Sequence, residues 1–169
     1  SLSLNELRWR NEWTMTGGDE LDWARLYGHW GDDQGITIFG TQKHTEGYFM
    51  MTGTKQKLVA ASSAMLVSDP VQCQEGDAVL SFRYWTSPSV KIRVCTRLPS
   101  SGKRYEWCSD DVTTGDPGPA RILVPGSILH TFELVIEAYN FVLDAFGVRG
   151  GVVAIDDILY NATRIYNCR

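Results

Sequence analysis

Few residues in this chain could do acid–base or nucleophilic chemistry, and those few are scattered. The three histidines, His29, His44 and His130, fall in no HExxH pair, beside no G-x-S-x-G elbow and near no phosphate-binding loop. Triad partners need not be adjacent in sequence, but no nucleophile–base pair is legible from spacing, and surface or loop histidines are the plainer reading. Glu133 and Glu137 share one face of an alternating segment. They come nearest to the paired carboxylates of glycoside hydrolysis. Two solvated glutamates on a wet strand face account for them more simply. We therefore expect no catalytic residue and no enzyme.

Asp156-Asp157 is a different case. In an alternating strand the two carboxylates point to opposite faces, and both neighbours, Ile155 and Ile158, are apolar. A carboxylate placed there needs donors, an arginine or a metal. The structural reading is a carboxylate accepting backbone or tryptophan N–H groups. The functional reading is a structural Ca²⁺ ion, with oxygen ligands also supplied by Glu6, Asp19 or Asp22 from the N-terminal segment. Neither reading is catalytic, and no cofactor is required. Of the six tryptophans, Trp30 sits in a polar, glycine-flanked stretch and reads as exposed. With Trp85 it forms the candidate interface, either an anchor for a protein partner or a sugar platform. Packing beneath its own loop is the alternative for Trp30.

Four cysteines, Cys73, Cys95, Cys108 and Cys168, form no CxxC pair, which speaks against zinc and thioredoxin-like chemistry. A two-residue turn at Ser101-Gly102 between two β-rich runs sets Cys95 opposite Cys108. The same register pairs Arg97 with Glu106 and Arg93 with Asp110 on that face. On the other face it pairs Leu98 with Tyr105 and Thr96 with Trp107. The bridge is then expected at a non-hydrogen-bonded pair on the solvated face, among Lys91, Arg93 and Arg97. Cys73 pairs with the remaining Cys168. Disulfides point to an oxidising compartment, and Asn161-Ala162-Thr163 is a sequon that agrees with a secreted or ectodomain origin, with Asn161 as the glycosylation site.

The elements that must position these residues read as strands. A chain of 169 residues fits one domain spanning 1–169, and at that size folding removes roughly 70% of the unfolded surface from water. Short runs rich in branched and aromatic residues recur between Gly, Pro, Asp and Ser, a spacing that signals a sandwich or barrel. Phe132, Leu134, Ile136 and Ala138 alternate with Glu133 and Glu137, as in a half-buried strand. The best helix candidate is Lys55–Met65, whose Ala-rich composition is equally readable as strand. The net charge of −4 leaves no basic footprint for nucleic acid. No apolar run reaches the roughly 20 residues of a membrane span, so no direct membrane contact is expected. A signal peptide or anchor would lie outside this sequence.

The run Gly151-Val152-Val153-Ala154-Ile155-Asp156-Asp157-Ile158 resembles the G-x-x-A-I-D-D-I signature of MAM domains, the extracellular modules of meprins, neuropilins and receptor tyrosine phosphatases. Further pieces follow in the family's order: Asp22-Trp23, Gly47-Tyr48-Phe49-Met50, Cys73 before Leu80, Phe82 and Tyr84, then Trp107, Phe132–Ala138 and Cys168. The resemblance implies an all-β, jelly-roll-like antiparallel β-sandwich and a Cys73–Cys168 bridge. It implies a recognition module for adhesion, receptor assembly or dimerisation, whose partner is another extracellular protein or a second copy of itself. The chain departs from the family in lacking an N-terminal cysteine pair and in stapling a hairpin instead. The alternative function is a carbohydrate-binding β-sandwich, with a glycan as partner.

Overall fold

The computed structural model describes residues 2–3, 7–12, 21–29, 39–40, 44–54, 58–113, 119–142 and 151–168. In chain order the strands are β1 (Leu2–Ser3), β2 (Trp9–Asn11), β3 (Ala24–Tyr27), β4 (Phe39–Gly40), β5 (Tyr48–Thr54) and β6 (Ser63–Ser68). They continue as β7 (Cys73–Thr86), β8 (Lys91–Arg97), β9 (Tyr105–Cys108), β10 (Ala120–Val124), β11 (Glu133–Tyr139) and β12 (Gly151–Tyr166). One sheet runs β10-β7-β12-β5-β3, with β1 added to β12 and β4 to β7; the other runs β2-β6-β11-β8-β9. Every pairing between these described strands is antiparallel, with one parallel bridge outside them, Leu21 to Ala64. The result is the all-β, jelly-roll-like antiparallel sandwich that the resemblance implied, and one of the two architectures, sandwich or barrel, that the strand spacing allowed. The two inner faces meet in one core that includes Leu80, Phe82, Leu134, Ile136, Val153 and Ile155.

Strand alternation on β11 places Leu134, Ile136 and Ala138 in that core, each fully buried, with Phe132 just ahead of the strand. The outward side of the strand corrects an expectation. Glu133 and Glu137 are only 2% exposed, not solvated. The outer face of this sheet is covered, because Met65, Val67, Cys95 and Val135 form a second apolar cluster there with Tyr105 and Cys108 against it. The carboxylates between these groups take arginine partners. Glu133 accepts from Arg10 Nη2 at 2.6 Å, Arg97 Nε at 3.0 Å and the Ser100 N–H at 2.9 Å. Glu137 accepts from Arg93 at 2.7 Å, Ser63 Oγ at 3.0 Å and Tyr105 Oη at 2.8 Å. Burial opposes the charge of Glu133, but Arg10, the Ser100 N–H and Arg97 outweigh it and hold its carboxyl below the usual range. Burial, then the Glu137 carboxylate, pushes the Tyr105 hydroxyl well above its ordinary value, so it stays a donor.

The same competition rewrites the hairpin. Cys95 faces Cys108 and Thr96 faces Trp107 as expected, but a register shift then sets Arg97 opposite Tyr105. The connection is two successive turns, Leu98–Ser101 and Ser101–Arg104, rather than a two-residue turn at Ser101-Gly102. The expected Arg97–Glu106 and Arg93–Asp110 pairs do not form. On its other side β8 meets β11, where Glu133 lies opposite Arg97 and Glu137 opposite Arg93, and buried carboxylates make stronger partners than solvated ones. Glu106 turns instead to His130, 2.9 Å away. Cys95 is fully buried, so its bridge lies on a covered face, not a solvated one. The Cα atoms of Cys95 and Cys108 are 4.0 Å apart. Their neighbours Val94 and Ser109 carry the ladder hydrogen bond, so the bridge occupies a non-hydrogen-bonded pair.

The Lys55–Met65 segment is not helical in its described part. After a turn closed by Ser62 N–H to Val59 C=O, Ser63 starts β6, which pairs with β2 and β11. Burial of six consecutive residues in β6 explains how sheet packing overrides an Ala-rich composition. The long strand β12 reaches Tyr166 and pairs with β1, β5 and β7. Its buried Tyr160 donates to Gln74 Oε1 at 2.6 Å. Tyr160→Phe removes that donor and leaves a fully buried amide oxygen unpaired. A loss of about 1–3 kcal/mol is expected in denaturant unfolding; an unchanged midpoint would show that the hydroxyl is dispensable.

Candidate functional site

The residues nominated by sequence do not converge. Trp30, Glu6 and Asp19 lie outside the described residues. Trp85, expected at an exposed interface, is 2% exposed and packs with Phe49, Met51 and Ala154. It sits near the end of β7, where β4 pairs on one side and β12 on the other, so it cannot pair with Trp30 as a surface platform. Asp22 accepts from Asn11 Nδ2 at 3.0 Å, and its main-chain oxygen accepts from Thr52 Oγ1 at 2.8 Å. Asp156 and Asp157 sit at a register shift in β12, with Asp157 at φ 54°. That irregularity breaks the alternation that would have driven one of them into the core. Asp156 accepts the Asp157 N–H at 2.8 Å, and Asp157 meets Arg83 at 3.2 Å. Burial, together with the neighbouring Asp157 charge, raises the Asp156 carboxyl despite that N–H. Among the described residues, no group of three or more His, Cys, Asp or Glu side chains is placed to hold a metal. Asn161 lies half-buried on β12, opposite Ser3 on one side and Val79 on the other. The bridges join Cys73 to Cys168 and Cys95 to Cys108.

A site does form where the edges of the two sheets face each other. β9 ends one sheet and β10 the other. Between them lies an open cleft of about 400 Å³, lined by Trp107, Ser109, Asp110, Asp111, Arg121 and Leu123 among others. Its size falls in the ordinary range for ligand pockets, about 300–1,000 Å³. The lining is built from both sides. Alternation along β10 buries Ala120 and Val124 and leaves Arg121 and Leu123 exposed at the lip. Trp107 is half-buried, with its body against the core. After β9 the chain stays pinned to β8, because Ser109 N–H donates to Val94 C=O at 2.7 Å and Val112 N–H to Ile92 C=O at 2.8 Å. Asp110 and Asp111 are therefore carried on fixed backbone. Asp111 accepts from the Tyr139 hydroxyl and lies 3.8 Å from Lys91. Burial and the Asp111 contact push the Tyr139 hydroxyl up to about 12, so it donates at neutral pH.

A second feature lies at the opposite edge of the larger sheet. All four residues of β3 are exposed. Tyr27 and Tyr48, opposed on β3 and β5, are 74% and 61% exposed, with ring centroids 4.9 Å apart and planes at 68°. Arg25 lies over the Tyr48 ring at 4.7 Å. The two rings make a corner, not a flat platform.

No family model matches this chain, and no curated protein matches it. Solved structures do. One is the module TmCBM61 in complex with β-1,4-galactotriose, at 15% identity over 90% of this chain and 99% of that one, with a TM-score of 0.43. A structure described as CBM4 matches at 12% identity over 83% and 94% of the two chains, TM-score 0.46. The enzymatically active domain of bacteriophage CBA120 tailspike protein 4 matches at 12% identity, TM-score 0.41, over 88% of this chain and 20% of that chain. The sandwich assigned to this chain rests on its own strand pairing.

Sequence reasoning missed both surface features for the same reason. Trp107 was readable as a core aromatic, which it is in part. Its neighbourhood with Arg121 depends on two sheet edges meeting, which no local pattern encodes. β3 carries no strand alternation, and its tyrosine pair arises only from the register with β5. The one available signal was the polar run Ser109-Asp110-Asp111 directly after a strand that ends in a disulfide.

Proposed function

We propose that this chain is a non-catalytic extracellular recognition module whose ligand is a glycan strand held in the β9–β10 cleft. The observation that carries this reading is the lining: Trp107 beside Asp110, Asp111 and Arg121 in an open cleft of about 400 Å³. A pyranose offers a patch of C–H groups on its face and hydroxyls around its rim. An indole suits the first, and carboxylate acceptors with a guanidinium donor suit the second. The absence of catalysis rests on what the side chains already do. Ser109 Oγ accepts the Val94 N–H and donates to the Asp110 carbonyl, with no histidine among the described residues that line the cleft. Glu133 and Glu137 are buried on arginines elsewhere. The extracellular placement rests on four cysteines all joined in bridges, a state that persists in oxidising compartments.

Glycan-array screening followed by calorimetry tests this reading. Asp110→Asn and Arg121→Ala, both at exposed positions, are each expected to weaken binding about tenfold or more, near 1.4 kcal/mol, with unchanged melting. Trp107→Ala is expected to abolish binding, though it also removes core contact. Failure of the intact protein to bind any glycan at millimolar concentration sinks the proposal.

A second reading follows the MAM resemblance and has a protein as partner. β3, which ends its sheet among the described residues, favours it with the exposed Leu26, Tyr27 and Tyr48, since a sheet edge with aromatic side chains can accept an added strand. Sedimentation that shows self-association, abolished by Tyr27→Ser with Tyr48→Ser, would favour this reading over the glycan.

A further inference from the structure

His29 and His44 lie fifteen residues apart in sequence, just beyond β3 and just before β5, and the fold brings their rings together. The backbone beneath them is tied twice. Gly28 N–H donates to Gly47 C=O at 2.8 Å, and Thr45 Oγ1 donates to Gly28 C=O at 2.9 Å. Gly28 and Gly47 both take positive φ, 123° and 65°, which lets the chain turn sharply on either side of this contact. The two imidazoles stand at 85° with centroids 4.5 Å apart. Both are exposed. Their Nδ1 atoms are 2.9 Å apart, and the Thr45 carbonyl oxygen is 3.2 Å from His44 Nδ1. Two ring nitrogens thus meet at the surface, with the Thr45 carbonyl oxygen beside one of them.

We propose that His29 Nδ1 and His44 Nδ1 form a clamp for a tetragonal transition-metal ion of the Cu(II) or Ni(II) class, with the Thr45 carbonyl as the adjoining oxygen donor. Imidazole nitrogens sit about 2.0–2.1 Å from a bound first-row ion such as zinc. Two of them at right angles are therefore about 2.9 Å apart, whereas at the tetrahedral angle they are about 3.3 Å apart. The observed separation matches adjacent corners of a square. Square-planar or tetragonal sites with nitrogen and oxygen ligands favour Cu(II) and Ni(II) over zinc. Both rings coordinate in the neutral form, with the ring proton on Nε2. Both rings are exposed, so the clamp is a surface binding site and not a structural core site. It is independent of the β9–β10 cleft and of what that cleft binds.

The test uses the intact, disulfide-bonded chain titrated with CuCl2, NiCl2 and ZnCl2, read by calorimetry and, for copper, by electron paramagnetic resonance. One copper per chain with an axial spectrum split by two nitrogens is expected, with affinity in the order copper, nickel, zinc. His29→Ala and His44→Ala are each expected to weaken copper binding tenfold or more, with the metal-free circular dichroism spectrum unchanged. His130→Ala serves as the control and is expected to bind as the parent does, because that ring sits beside Glu106 elsewhere. Copper binding that survives in the His29→Ala/His44→Ala double variant, or zinc binding tighter than nickel, overturns the proposal. So does a chain that takes up no copper at all, which would leave the pair as an imidazole–imidazole hydrogen bond only.

Discussion

Glu133→Ala is expected to destabilise the protein by about 3–5 kcal/mol, because it leaves the buried Arg97 guanidinium with one of its two carboxylate partners gone and strips Arg10 of the same carboxylate. Arg97 is fully buried, with its Nε on Glu133 at 3.0 Å and its Nη1 on Glu12 at 2.5 Å and on the Gly102 carbonyl at 2.7 Å. Its Nη2 has no partner among the described residues, so no spare hydrogen bond offsets the loss. Replacing both partners with apolar residues of similar volume, Arg97→Met with Glu133→Leu, is expected to come much closer to the parent. Denaturant unfolding with the bridges intact measures both; equal losses for the single and double variants would refute the coupling. The same carboxylate predicts the acid response. Its folded value lies below its unfolded one, so its contribution is fully present above the unfolded value, about 4.3. It is lost as the pH falls through the folded value. In Glu133→Gln that acid limb is expected to flatten.

Removing the Cys73–Cys168 bridge is expected to cost more than removing Cys95–Cys108. The first closes a loop of 95 residues and the second one of 13. In the chain-entropy account these correspond to about 4.7 and 3 kcal/mol. Alanine is the replacement of choice at both, since a serine hydroxyl would be buried unpaired at Cys95 and Cys73. Packing works against the ranking, because Cys95 touches Met65, Val67 and Val135. If Cys95→Ala/Cys108→Ala proves the more damaging pair, that small cluster and not loop closure governs the hairpin's contribution.

Local pattern and long-range pairing divide what was legible. The inward side of β11 was readable from alternation alone, whereas the facing of Cys95 with Cys108 was read from a two-residue turn and holds although the turn is a different one. The outward side was not. Alternation tells which residues share a face but not whether that face meets water. The roof over Glu133 and Glu137 comes from Arg10, far earlier in sequence, and from the β8–β9 hairpin. Trp85 failed on the same ground: its polar neighbours on β7 gave no sign that Phe49 and Ala154 from adjacent strands would cover it. The carboxylates Asp156-Asp157 conflict with apolar neighbours on both faces only while the strand alternates, and a shift in β12 register removes that conflict locally. His29 and His44 looked scattered because their contact depends on the β3–β5 register.

The closure of Cys73 onto Cys168 also has a mechanical consequence. A load applied at the two ends of the chain passes from Cys168 through sulfur to the start of β7, so β12 and everything from β7 onward are shielded from extension. Only the residues before Cys73 can be drawn out. At about 3.5 Å per extended residue that is roughly 250 Å, against roughly 590 Å for the whole chain. Under tension this protein would behave as a short leash attached to a knot that does not run.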